Sequence, residues 1–244
     1  METKYKAYNR NDSWNRIDEI LTKSDSSFEE LKEIPSRDRL TFTNGFYVEC
    51  SCVFMDIRKS SELPRKYQRP TLAKIYRTYI SEAVAVMNGS TLCKEINIHG
   101  DAVWGMFNTP YKSNMDTTFG VAAELSSVVD LLNCRYAKKT NNIEPITVGI
   151  GVDYGRALML KAGYKGSGIN DVVWMGDVVN GASNICSYGN ATWMDREMMV
   201  SDDFYRNLND HNKSLLEYNS TRRCWHGHVI NVSMDEWLKE KGCK

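Results

Sequence analysis

Residues 46–61 read FYVECSCVFMDIRKSS, a stretch that divides abruptly into an apolar run and a polar loop. Aromatic, β-branched and cysteine side chains from Phe46 to Met55 suit a buried strand. Asp56 stands where that strand runs out. The loop beyond it carries two cations, Arg58 and Lys59, and two hydroxyls, Ser60 and Ser61. Backbone N–H groups, positive charge and hydroxyls together can cradle a phosphate. An ordinary solvated basic loop has the same composition.

Downstream, Pro70 fits the first turn of a helix. Its apolar stripe is Leu72, Ile75, Tyr76, Tyr79, Ile80, Ala83, Val84 and Met87, and Asn88-Gly89 ends it. Residues 91–98 and 102–107 read as two strands joined by a tight turn at His99-Gly100-Asp101. Asp116 or Thr117 opens a second long helix, with Val121, Leu125, Val128, Val129 and Leu132 on one face. It breaks before Asn141-Asn142, and ITVGIGV (146–152) is the next strand, with RALML (156–160) as its expected partner. The order β-α-β-β-α-β is that of a ferredoxin-like sheet, so the fold class is α+β, a palm with additional strands and helices. A glycine-rich loop (Gly163, Gly166, Gly168), a helix from about Gly176 and a last strand over 225–232 complete it.

Upstream, residues 1–37 form a helical appendage and 38–244 the main domain. Asp12 or Ser13 is placed to cap a helix bearing Trp14, Ile17, Ile20 and Leu21 on one side, and Ser26 to Leu31 starts a second short helix that stops before Pro35. Neither helix can bury its stripe alone, so each needs the main domain or another subunit.

With 244 residues, 42% of them hydrophobic, the chain can bury a sizeable core. Acidic and basic residues balance at 31 each, which argues against a nucleic-acid partner. The sequence has no ~20-residue apolar span for a membrane helix. The polar N-terminus lacks the apolar region of a secretion signal, so the protein is expected in the cytoplasm. Its seven cysteines, without a C-x-x-C pair, are expected to be reduced and mostly buried.

In a β-α-β-β-α-β sheet the end of the first strand and the hairpin turn are neighbours, which places Asp56 and Asp101 at one edge. Two carboxylates there can share Mg²⁺, a hard ion that takes few protein ligands beside water and phosphate oxygens. The same residues also fit an ordinary Gly-Asp turn and a helix cap.

Four ordered segments resemble the catalytic domain of class III nucleotidyl cyclases, over roughly residues 46–232. VFMDIRKSS (53–61) resembles the family's first metal motif. IHGDAVWGMF (98–107) is similar to the second, with His99 between Ile and Gly. TVGIGVDYGRAL (147–158) and WMGDVVNGAS (174–183) resemble the two glycine-containing segments that follow. The resemblance implies two divalent ions, Mg²⁺ or Mn²⁺, held by Asp56, Asp101 and the backbone carbonyl of Ile57. It also implies a homodimer with two interfacial sites, metals from one copy and Asn180 from the other.

Departures from the family concern the substrate. The positions that read adenine or guanine are Asn97 and Val173 here, so neither purine readout is present. Trp174 and Met175 beside Val173 either narrow the pocket or serve as core. The usual phosphate-contacting Arg is Asn184, which leaves Arg58, Lys59, Lys165, Arg222 or Arg223 to supply charge. These features resemble the cyclic UMP and cyclic CMP cyclases of bacterial anti-phage defence, whose products activate a separate effector protein. An adenylate cyclase with a divergent pocket and an inactive nucleotide-binding homologue are the alternatives; a diguanylate cyclase or polymerase palm is disfavoured by the lack of a GGDEF-like hairpin.

Overall fold

The computed structural model describes residues 5–139 and 143–243. Along the chain run α1 (Arg10–Leu21), β1 (Phe28–Leu31), β2 (Gly45–Ile57), α2 (Leu63–Lys66), α3 (Arg69–Asn88), β3 (Cys93–His99), β4 (Ala102–Phe107) and α4 (Lys112–Lys139). After these come β5 (Val148–Tyr164), β6 (Ile169–Met175), α5 (Asp177–Cys186), β7 (Met198–Val200), α6 (Asp202–Asn207), α7 (Asp210–Ser214), β8 (Glu217–Asn219), β9 (Cys224–Gly227) and α8 (Val232–Glu240).

The strands form one sheet in the order β3-β4-β2-β5-β7-β9-β8, with β1 added on β2 and β6 on β5. The segment β2-α3-β3-β4-α4-β5 is the expected β-α-β-β-α-β unit, with β2 antiparallel to both β4 and β5. Alternation along β2 divides the core. Val53, Met55 and Ile57 pack with Ile75, Tyr79 and Met87 of α3 and Phe119 and Leu125 of α4. Phe46, Val48, Cys50, Cys52 and Phe54 face the other way, toward Val178, Ala182 and Cys186 of α5. Fully burying such a side chain contributes about 1.5–3 kcal/mol, which is why a one-residue slip of β2 is not tolerated.

Glycines in β5 let α5 sit directly on the strand. A Cβ at Gly151 would lie 2.2 Å from the Ala182 carbonyl oxygen, and one at Gly149 would lie 2.3 Å from that of Cys186. The Gly-Ile-Gly run is therefore a seat for the helix that carries Asn180.

Several local expectations are corrected. The second N-terminal helix is reduced to a 3-10 turn, Asp25–Ser27, and residues 28–31 form β1 parallel to β2. The open edge of β2 at Gly45–Val48 supplies hydrogen bonds that outweigh a weak local helical pattern. ITVGIGV and RALML are one 17-residue strand, because β2 pairs with it continuously across Asp153-Tyr154-Gly155. The helix expected at Asp116 starts earlier, at Lys112, and the last strand stops at Gly227. Its cap is Asn9 for α1, which accepts from the N–H groups of Asn11 and Asp12. Trp14, Ile17, Ile20 and Leu21 stay exposed on α1, which is tethered by a Glu19–Lys165 ion pair. The thiols are not all reduced: Cys134 and Cys243 form a disulfide, while Cys50, Cys52, Cys186 and Cys224 are free and buried. α4 and the residues after α8 converge only in three dimensions, which spacing along the chain does not reveal. The Asn141-Asn142 break lies outside the described residues. Among the described residues no helix is long and apolar enough to cross a membrane.

Replacing Gly151 with Val is expected to lower stability by about 3 kcal/mol, since the new atoms meet backbone that cannot yield. Gly120 on α4 is the control, because a Cβ there meets nothing within 4 Å. Gly120→Ala is expected to raise the urea midpoint slightly, Gly151→Val to lower it steeply. Equal midpoints would show that α5 is not seated as described.

Candidate active site

The β2–β5 register pairs Asp56 with Gly149, one step from the end of the strand. The β3–β4 hairpin pairs His99 with Ala102, leaving Gly100 and Asp101 at its tip. Gly100 takes φ 63°, the left-handed conformation that the tight turn requires. Because Val103 lies opposite Met55, the hairpin tip arrives beside the end of β2.

The two carboxyl groups meet there. Burial raises the Asp56 pKa, and the neighbouring Asp101 carboxyl raises it further by hydrogen bonding and repulsion, to about 6. Arg58 opposes the rise: its Nη2 donates to Asp56 Oδ2 at 3.0 Å, and its Nη1 donates to the Ser187 carbonyl at 2.8 Å. Asp101 Oδ2 is buried with no hydrogen-bond partner. An orphaned, buried carboxylate oxygen beside a second carboxylate suits a hard divalent cation. Among the described residues no group of three or more His, Cys, Asp or Glu forms a fuller metal cage. Two oxygen donors match Mg²⁺ or Mn²⁺ better than zinc.

Ile57 is the last residue of β2, so its carbonyl directly follows the Asp56 side chain. Lys59 has φ 55°, and Ser60 and Ser61 open the short 3-10 turn Ser60–Glu62 behind it. Asn180 and Asn184 are both exposed on α5, one helical turn apart, and neither side chain bonds to Asp56 or Asp101 among the described residues. Thus one chain brings together Asp56, Asp101 and Arg58 but leaves Asn180 facing outward.

Arg222 is committed elsewhere. Its Nε and Nη2 bind Asp195 at 3.1 and 2.8 Å, and the guanidinium lies over the Tyr188 ring. That pairing holds the Asp195 carboxyl at about 2. Arg223 is exposed on the β8–β9 turn with φ 55°. Lys165 pairs with Glu19.

Asn97 lies opposite Trp104, which lies opposite Phe54 two residues before Asp56. Phe54 and Trp104 stack with ring centroids 5.2 Å apart. Asn97 Nδ2 is buried and has no partner. Val173 is exposed on β6, as is Met175, while Trp174 points into the core and is 6% exposed. The core reading of Trp174 therefore holds.

Sequence reasoning missed the aromatic neighbours. The Phe54–Trp104 stack follows from hairpin register, and only a complete strand alignment could have found it. Tyr79 was legible merely as an apolar helix position, yet its buried hydroxyl lacks a partner. Its pKa is raised mainly by burial and then by the nearby Asp56 charge.

No protein-family profile matches the chain. It is 36% identical to a uridylate cyclase from Gulbenkiania mobilis, over 98% of this chain and 99% of that protein. It is also 36% identical to a uridylate cyclase from Treponema porcinum, over 92% of this chain and 79% of that protein. The adenylyl cyclase CyaB from P. aeruginosa superimposes with a TM-score of 0.60 at 17% identity, covering 71% of this chain and 85% of that one. At that identity the superposition shows the fold alone.

An acid whose pKa is raised on folding destabilises the native state above its unfolded value. For Asp56 that cost is absent below about pH 4, grows as pH rises, and is complete above about pH 6. Asp56→Asn in chelator-treated protein should therefore be more stable than the parent at pH 7.5, by about 1–2 kcal/mol after allowing for solvent screening. The gain should vanish near pH 4. A pH-independent difference in thermal midpoint would contradict the paired-carboxylate geometry.

Proposed function

We propose that this chain, which belongs to the uridylate cyclase family and is a phosphorus–oxygen lyase, converts UTP to cyclic 3′,5′-UMP and pyrophosphate. The observation that carries the reading is the Asp56–Asp101 pair with its orphaned Oδ2. Asp56, Asp101 and the Ile57 carbonyl would hold two divalent cations, Mg²⁺ or Mn²⁺, which supply charge neutralisation for the triphosphate and acidify the ribose hydroxyl. In the reaction the 3′-oxygen bonds to the α-phosphorus, its proton leaves and pyrophosphate departs. The chain's own contribution is positioning and electrostatics.

Asn180 faces outward from its own carboxylates, which supports a homodimer whose sites combine Asp56 and Asp101 of one copy with Asn180 of the other. Asn184 brings no charge to the phosphates, and Arg222 is occupied by Asp195. Arg58 is the cation already placed at the carboxylates, and with Lys59, Ser60 and Ser61 it lies where a triphosphate would rest.

The base preference rests on Asn97 and on the uridylate cyclase relatives. A buried amide donor without a partner fits the O4 carbonyl of uracil and not the exocyclic amine of cytosine. Val173 offers no hydrogen bond to a purine edge. CTP is the second candidate, since rotating the carboxamide presents its oxygen. We read the product as a second messenger for a separate effector protein in antiviral defence, as in the anti-phage cyclases that the sequence resembles.

Incubating the protein with each of the four ribonucleoside triphosphates and Mg²⁺ or Mn²⁺ tests this directly. Cyclic UMP should dominate, and Asn97→Ala should lower kcat/KM for UTP by about 10- to 100-fold. Cyclic AMP as the main product would replace the pyrimidine reading with a divergent adenylate cyclase; no turnover of any nucleotide would favour an inactive homologue.

Subunit mixing tests the shared site. Asp56→Ala and Asn180→Ala proteins should each be inactive as homodimers. An equal mixture should regain about a quarter of parental turnover, because half the dimers are mixed and each carries one intact site. A mixture as inactive as its components, with heterodimers demonstrably formed, would exclude the interfacial arrangement.

A further inference from the structure

On the sheet face opposite α5, helices α3, α4 and α8 border a cleft of about 670 Å³, within the size range of small-molecule sites. It takes no part in the carboxylate site. Its apolar surface comes from Leu131, Leu132, Tyr136 and Ile143, with Trp237 of α8 on one wall. Around it stand five cations, Lys74, Arg135, Lys138, Lys139 and Lys241, against a single carboxylate, Glu82, among the described lining residues. Lys138 donates to the Lys241 carbonyl at 2.6 Å and Lys241 lies over the Trp237 ring, and among the described residues neither forms an ion pair with an acid.

The two hydroxyl groups among the described lining residues of the cleft are paired with each other. The Thr78 and Tyr136 hydroxyls bond each other at 2.7 Å, and Thr78 also donates to the Lys74 carbonyl. The apolar floor is matched by an acyl chain, which needs no hydrogen bonds. The far wall is held in place covalently, since Cys134–Cys243 ties the residues after α8 to α4.

We infer that this cleft binds a free medium-chain aliphatic carboxylate. The chain lies on Leu131, Leu132, Tyr136 and Trp237, and the head group sits among Arg135, Lys138 and Lys139. Lysine stems extend the apolar surface while their ammonium groups reach the head group. A concave cleft bordered by three helices suits a monomeric amphiphile better than a bilayer surface, which would require a protruding apolar face. The inference is independent of which nucleotide the enzyme cyclises.

The test is calorimetric titration of the full-length protein with decanoate and dodecanoate below their critical micelle concentrations. Binding should saturate at one ligand per chain, with dodecanoate about tenfold tighter than decanoate. Methyl dodecanoate and dodecyltrimethylammonium should bind at least about tenfold more weakly than dodecanoate. Arg135→Glu combined with Lys139→Glu should cost at least about tenfold while leaving cyclase turnover without lipid unchanged. Lys139→Ala, a milder change, should still weaken dodecanoate more than its methyl ester. Equal affinity for acid and ester, no saturation below about 1 mM, or binding only to anionic vesicles would each overturn the proposal.

Discussion

The structure depends on the unbroken pairing of β2 with β5, from Gly45 opposite Leu160 to Ile57 opposite Val148. Thirteen residues locked in one register set three things together. They send Val53, Met55 and Ile57 into the α3–α4 core and Phe54 to the α5 side. They place Gly149 and Gly151 under α5, so that the helix rests on backbone. They also hold Asp56 at the strand's end, where the hairpin tip brings Asp101. A slip of one residue would send each set of side chains into the core shaped for the other, and would undo the site along with both cores.

The site is held at an electrostatic cost. Two carboxyl groups share a partly buried corner, and Arg58 only partly offsets their repulsion. Among the described residues seven buried side-chain atoms lack hydrogen-bond partners, and four of them belong to Arg58, Tyr79, Asn97 and Asp101. Unmet polar groups concentrated around one pair of acids mark a place built to receive something charged and polar. Other such groups are paired, as in the Asp195–Arg222 pair and the Thr78–Tyr136 contact, and the remaining unpartnered atoms, Ser27 Oγ, Trp174 Nε1 and Glu197 Oε1, belong to three separate segments.

The sheet separates two chemistries. On one face α5 presents Asn180 and Asn184 outward, and the neighbouring β6 exposes Val173 and Met175. On the other, α3, α4 and α8 surround an apolar cleft rimmed by cations. α3 and α4 border that cleft and also pack against the strands that end in Asp56 and lead into Asp101, so both regions rest on one core.

Local sequence was enough for the β-α-β-β-α-β order, the long helices and the two carboxylates, because period-2 and period-3.6 patterns report burial directly and turn glycines mark the breaks. It was also enough to single out Asn97, Val173 and Asn184 as departures from the resemblance. Everything that depends on residues far apart in the chain came from the folded molecule. β1 is a strand because an edge of β2 was open, and β5 is continuous because β2 is equally long. Arg222 serves Asp195, Trp174 fills the core, and Cys134 meets Cys243 across 109 residues. Side-chain partners and hydrogen-bond satisfaction are set by packing between distant segments, and no spacing along the chain encodes that.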